Sequence, residues 1–142
     1  MIVRRLDDVV GTERDVAGPT FVSRRLLLAD DRVGFSLHDT VLRRGTTTHM
    51  WYQNHIEAVY CIEGRATLHD LVADVTYEIS PGTLYTLNGN EKHTLTVHDD
   101  IRVLCVFNPP LTGQELHDDE GTYPLITIPD GEVPSSAEGV IP

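Results

Sequence analysis

The seven histidines of this 142-residue chain are His38, His49, His55, His69, His93, His98 and His117. No two of them have the HExxH spacing that places two imidazoles on one helical face for zinc. The two cysteines, Cys61 and Cys105, do not have zinc-finger spacing. A lone histidine is usually a surface or hydrogen-bonded residue, so another feature must single one out. Glu57 is the first such feature. It stands between Ile56 and the run Ala58-Val59-Tyr60-Cys61, and a carboxylate there is expensive to bury without a partner.

The stretch from Gly45 to Gly64, GTTTHMWYQNHIEAVYCIEG, resembles the first cupin motif. That motif is a Gly, five residues, H-x-H, three or four residues, a Glu, six residues and a Gly. Gly45, Glu57 and Gly64 fall in place, and Trp51 and Gln53 replace the two histidines. The second motif is a Gly, five residues, P-x-G, two residues and a His. Gly82 and His93 match its spacing, with Asn88 and Asn90 in place of the Pro and the final Gly. The resemblance implies two of the four usual ligands, Glu57 and His93. An open metal site generally needs at least three protein ligands. Strand alternation puts Thr83, Tyr85 and Leu87 on one face of the segment leading to His93. A Tyr85 phenolate is a suitable hard ligand, because a bound cation lowers the pKa of its donors. By pattern alone, Tyr85 reads more simply as a half-buried strand aromatic. Two oxygens and one imidazole favour Fe(II) over a thiolate-loving metal.

Short strands must position these groups. Phe21 to Leu28 reads FVSRRLLL and Val33 to Leu42 reads VGFSLHDTVL; then come MWY, EAVYCIE, ATLHDLV, VTYEI, TLYTL, HTLTVH and IRVLCVF. Ile101, Val103, Cys105 and Phe107 alternate with Arg102, Leu104 and Val106, a period of two. Breaks such as Glu63-Gly64, Pro81-Gly82 and Asp99-Asp100 separate the runs. Nine such runs predict an antiparallel sandwich or barrel. The helix candidates are Leu6 to Val10 and Thr112 to His117. The C-terminal PDGEVPSSAEGVIP reads as a tail or lid, giving one barrel domain over 1–125 and a tail over 126–142.

Composition narrows the partners. The net charge of -11 disfavours nucleic acid and anionic membranes. There is no apolar run of about 18 residues, and hence no predicted membrane span. The start, MIVRRLDDVVGTERD, lacks a signal-peptide pattern, so the cysteines read as reduced thiols of a cytoplasmic protein. Lys92 is the only lysine beside ten arginines, which suits a high-salt cytoplasm or a biased genome composition equally.

Longer segments carry a more specific likeness: MIVRRLDDVVGTERDV, SRRLLLADDRVGFSLHDT, THMWYQNHIEAVYCIEG, SPGTLYTLNGNEKHTL and VLCVFNPPLTGQELHDDEGTYPL. Through them the chain resembles the ectoine synthase family of small cupin enzymes, from Met1 to about Leu125. The resemblance implies an all-β, cupin-type antiparallel β-barrel, jelly-roll-like, with one or two very short helices. It implies a divalent metal, most suitably Fe(II), on Glu57, Tyr85 and His93, with no organic cofactor. The loss of the two cupin histidines is then a family feature. The implied reaction is that of a hydro-lyase, cyclising N-γ-acetyl-L-2,4-diaminobutyrate to ectoine with loss of water, in osmotic stress protection.

The family's substrate contacts map onto Phe21, Ser23, Arg25, Thr40, Tyr52, Cys105, Phe107, Glu115 and His117. Glu115, His117 and Tyr52 are the catalytic candidates. Phe21 stands where the family commonly has Trp, losing an indole donor. A homodimer is implied, with Met1 to Arg5 adding to the partner's sheet. Asn108 to Tyr123 is expected to close as a lid, with Pro109-Pro110 as a stiff hinge and Gly113 and Gly121 as flexible joints. The competing readings are a metabolite-binding cupin without catalysis, another metal-dependent cupin enzyme, and a metal-free barrel.

Overall fold

The computed structural model describes residues 1–115 and 117–123. Among the described residues its only helical pieces are α1 (Leu6–Val9) and a single 3-10 turn at Ala29–Asp31. Its strands are β1 (Asp15–Ala17), β2 (Phe21–Leu27), β3 (Ser36–Leu42), β4 (Thr47–Met50), β5 (Ile56–Asp70), β6 (Val75–Ile79), β7 (Leu84–Leu87) and β8 (His93–Asn108).

The two long strands, β5 and β8, pair twice. Ile56–Cys61 runs against residues 108–103, and residues 66–70 run against residues 97–93. Between these stretches the register slips at Cys61/Glu63, Glu63/Arg65 and Arg65/Ala66. Bulges bend a strand and increase its twist, so one bent ribbon serves two sheets. Its first part carries β3, β2 and β1 on the β8 side and β7 on the β5 side. Its second part carries β4 on β8 and β6 on β5. Every pairing is antiparallel. The two sheets close over a core that includes Cys61, Ala66, Ile101 and Leu111, all fully buried. This is the antiparallel barrel that the alternating runs predict.

The sequence places breaks at Glu63-Gly64 and Asp99-Asp100, and here the structure differs. EAVYCIE and ATLHDLV are one strand, as are HTLTVH and IRVLCVF. Charge and glycine signal a turn to a local reading, but the neighbouring strand supplies hydrogen bonds that carry the chain through as a bulge. Gly64 makes this possible. It has φ 89°, and a Cβ there would press into the Asp100 carbonyl and lie 2.7 Å from the Ile101 Cα. β1 is a strand the alternation does not signal, being three residues, Asp15-Val16-Ala17, held on β2.

The described residues of the helix expected at Thr112 to His117 are not helical. Residues 112–115 form a turn, with Gly113 at φ 99°, outside the helical region. The tail expected over 126–142 lies outside the described residues. Outside the barrel, the buried Asp39 accepts from Arg24 at 2.6 Å and from Arg102 at 2.6 Å, stitching β2, β3 and β8 together.

Gly64→Ala should lower the thermal midpoint by about 5–10 °C, from left-handed strain plus a backbone clash. Gly45 also has positive φ, 81°, but open space around it, so Gly45→Ala should cost about half as much or less. Calorimetry on the two variants checks the ordering.

Candidate active site

Register gathers the site before any loop contributes. Residues opposite one another in antiparallel strands share a face. One inward row crosses the larger sheet as Ser36, Phe107, Glu57 and Leu87. The next runs Arg25, His38, Cys105, Val59 and Tyr85. A third is Ser23, Thr40, Val103 and Cys61. A cavity of about 240 Å³ lies against this wall, with Thr48, Met50 and Leu95 facing it from β4 and β8. Phe21, Ser23, Thr40, Cys105 and Phe107 all line it, together with Glu57 and Tyr85.

An aromatic group packs over one side of the cavity. The Tyr52 hydroxyl lies 3.0 Å from His117 Nε2. The His117 ring stacks on Tyr123 at 4.1 Å, and Tyr52 stacks on Tyr123 at 5.3 Å. Phe107 meets both tyrosines edge-on. The segment carrying His117 and Tyr123 is tied to the barrel. Arg25 Nη1 donates to the Gly113 carbonyl at 3.1 Å, the Leu111 amide to Ser36 Oγ at 3.2 Å, and Asn54 Nδ2 to the Tyr123 carbonyl at 2.8 Å. Gly121, expected as a flexible joint, is a point of close approach: a Cβ there would lie 2.5 Å from the His49 carbonyl oxygen.

Three expected site residues do not line this cavity. Arg25 is buried behind it, holding Gly113. Glu115 is buried within the cap, where its carboxylate accepts from the Thr112 amide at 2.8 Å, the Thr112 hydroxyl at 2.8 Å and the Gly113 amide at 3.0 Å. His93 lines a separate groove, and Tyr85 borders both spaces. Two titratable cavity residues escaped the sequence reading. His38 packs on Phe107 and lies 3.4 Å from Ser23 Oγ; its period-two relation to Thr40 was the available signal. Tyr123 lies beyond the last strand, where no periodicity marks it.

The departures from the cupin motifs have structural partners. Trp51, in a histidine's place, donates its indole N–H to the Asn90 carbonyl at 2.9 Å. Asn90, in a glycine's place, keeps a left-handed φ of 55° that Asn tolerates. Its side chain donates to the Tyr52 carbonyl at 2.8 Å. Gln53, in the other histidine's place, donates to Glu120 and Thr122 of the cap.

A family model described as "Ectoine synthase" matches residues 1–127. The L-ectoine synthase of Thermobifida fusca is 58% identical over 127 residues, covering 89% of this chain and 95% of its own. The chain belongs to the ectoine synthase family. The crystal structure of ectoine synthase from P. lautus superimposes with a TM-score of 0.80 at 50% identity, covering 94% of this chain and 96% of that one. A cupin domain of an XRE-family regulator from Enterobacter cloacae, 16% identical with a TM-score of 0.54, shares the fold alone; it covers 64% of this chain and 98% of that one.

The ligand set implied for ectoine synthases can be tested against this cavity. Burial pushes the Glu57 carboxyl up to about 8, against a hydrogen bond from Cys105 that lowers it. Burial and the Glu57 charge push the Tyr85 phenol well above its usual range. His93 Nδ1 lies 2.9 Å from the Glu91 carbonyl oxygen. That contact puts the proton on Nδ1 and leaves the lone pair on Nε2, which is buried with no hydrogen-bond partner. Among the described residues, no three His, Cys, Asp or Glu side chains gather where they could hold a metal. In the implied set the third donor is the Tyr85 phenol, which borders both the cavity and the groove that His93 lines. A cation would compensate a carboxylate that burial otherwise keeps neutral, and would complete the orphaned imidazole. On both counts the residues fit.

Glu57 makes the metal-free protein sensitive to pH. Its folded value of about 8 lies above the ordinary 4.5, so between the two the folded state holds a proton that the unfolded state has lost. Stability therefore falls as pH rises through this window. Below about 6.5 the buried His38, His93 and His117, all lowered by burial, contribute the opposite slope. From about pH 6.5 to 8 the urea midpoint of metal-stripped protein should fall, and Glu57→Gln should flatten that fall. An equal slope in both proteins would count against the burial of an uncompensated Glu57.

Proposed function

We infer that the chain is an ectoine-forming hydro-lyase that closes N-γ-acetyl-L-2,4-diaminobutyrate into its ring with loss of water. One observation carries this reading: curated L-ectoine synthases match over nearly the full length of both chains at more than half identity. The reaction joins the α-amine to the acetyl carbonyl carbon of the same molecule. The carbonyl oxygen leaves as water, taking its two protons from the α-ammonium and the nitrogen it becomes. The amidinium product keeps the remaining charge, so the site has only to relay protons, not consume them.

A divalent cation on Glu57, Tyr85 and His93 would supply Lewis-acid polarisation of the acetyl oxygen. We assign it as Fe(II), on the hardness of the two oxygen donors and one imidazole. The cavity's own residues do the rest. Phe21, Cys105 and Phe107 give apolar walls that favour a folded, ring-closing substrate conformer. Ser23 and Thr40, with hydroxyls 3.4 Å apart, offer hydrogen bonds to the polar end. Tyr52 and His117 are the proton-relay pair. Burial pushes His117 down to about 4 and Tyr52 well up. At neutral pH the imidazole is therefore uncharged with Nε2 toward the phenol, which keeps its proton. Arg25 and Glu115 act by holding the cap: Arg25 through the Gly113 carbonyl, Glu115 by closing the 112–115 turn two residues before His117. The stacked cap keeps bulk water from a reaction that expels water.

The exposed Met1, Ile2 and Val3 project from Arg4, which is anchored on Asp31 at 3.1 Å. This arrangement supports the homodimer reading, with the N-terminal segment adding to a partner's sheet edge. The setting is osmotic stress protection in the cytoplasm.

Purified protein incubated with the acetylated diamino acid should yield ectoine by proton NMR. Alanine at Glu57, Tyr85 or His93 should remove most bound metal and lower the rate by about a hundredfold or more. Glu115→Ala should leave metal content intact and lower kcat/KM by about ten- to a hundredfold, because the relay pair loses its position. Full metal and full rate in both Glu57→Ala and Tyr85→Ala would overturn the ligand assignment. Light scattering at tens of micromolar should give the mass of a dimer, and deletion of Met1 to Val3 should shift it toward the monomer.

A further inference from the structure

β6 and β7 each pair with β5 and with no other strand among the described residues. A seam is therefore left between the two sheets, and it holds a groove of about 380 Å³. Tyr85 and His93 are among its lining residues. These residues are read above as two of the three metal ligands, and the inference rests on that reading. His93 Nε2 is buried and has no hydrogen-bond partner, and His93 itself is only 1% exposed. Asp70, Glu78 and Glu91 also border the groove, and among the described residues no Lys or Arg does. Lys92, next in the chain to Glu91, is drawn away, its ammonium 4.0 Å from the centre of the Trp51 ring. The substrate cavity has a different character. Among the described residues Glu57 is the one carboxylate lining it, and Tyr52, His117 and Tyr123 stack at its cap.

We propose that divalent cations reach the Glu57, Tyr85 and His93 site through this side groove between β6 and β7, separately from the mouth used by the substrate. A hydrated cation is steered by fixed negative charge and loses its water most readily where oxygen and nitrogen donors replace it. Asp70 and Glu91 are well held for this purpose. Asp70 accepts from the Val72 amide at 2.9 Å and the Ala73 amide at 3.0 Å, and Glu91 from the Gly89 amide at 3.0 Å. Each keeps further lone pairs for a passing cation or its water. The route lets metal load or exchange while the cavity holds substrate.

Leu84, 61% exposed, lines the groove, whereas both native cysteines are buried. In a Leu84→Cys protein the introduced thiol can therefore be capped with a benzyl methanethiosulfonate, which fills the groove and is removable by reductant. Metal-stripped full-length protein is then mixed with Co(II), and uptake is followed by visible absorption and by metal content at equilibrium. Capping should slow uptake by about tenfold or more, reductant should restore it, and the final content should stay at one per chain. Separately, Asp70→Asn with Glu91→Gln should slow uptake by about three- to tenfold at low salt, a difference that fades near 1 M salt. A capped protein that loads as fast as the uncapped one would overturn the route while leaving the ligand assignment standing. Wild-type protein that binds no Co(II) at equilibrium would overturn both.

Discussion

The double pairing of β5 with β8 is the constraint on which the rest depends. Two strands of this length cannot stay in one flat sheet and also enclose a core. The register slips around Glu63-Gly64 resolve the conflict by bending the pair. One part of the ribbon then holds the wall that carries Glu57, Cys105 and Phe107. The other part holds β4 and β6 and turns back at His93. Gly64 eases this bend, because a Cβ there would press into the Asp100 backbone. The metal-binding candidates come from both ends of the system: Glu57 near the start of β5, His93 at the start of β8, and Tyr85 on the short strand paired to β5.

Enclosure determines the chemistry of the groups so placed. A carboxylate, three phenols and a thiol face a small apolar space, and burial raises the pKa of each. The same burial lowers the histidines that border it. Every titratable group is thereby driven toward neutrality, and an added positive charge gains a strong compensating partner in Glu57. Such a cavity suits a reaction in which charge develops on an amide oxygen and protons pass between neighbours.

The positions where this chain departs from the common cupin motifs have been given other work. Trp51 and Asn90 tie the turn before β5 to the turn before β8, and Gln53 fastens the cap. In their place, a phenol from β7 can complete a ligand set of one imidazole and one carboxylate. The cap itself is packed, with Arg25 and Glu115 spent on its internal bonds. These two residues support the site from behind while Tyr52 and His117 face it.

Much of this was legible in the residues alone. Period-two runs, Gly spacing and the long family segments determined an antiparallel cupin barrel. They also marked Glu57 and His93 by motif, and Tyr85 by alternation with family support. His38 shares its strand face with Thr40 and could have been found by the same rule. Other features needed the folded chain. Continuity through Glu63-Gly64 and Asp99-Asp100 depends on hydrogen bonds to a strand some forty residues away. The inward aim of Tyr123, the inward bonds of Glu115 and the groove beside Tyr85 depend on which elements pack together. Local pattern reports what a residue prefers over a few neighbours. Whether a break is a turn or a bulge, and whether a carboxylate faces substrate or its own backbone, is decided by long-range partners that no local spacing encodes.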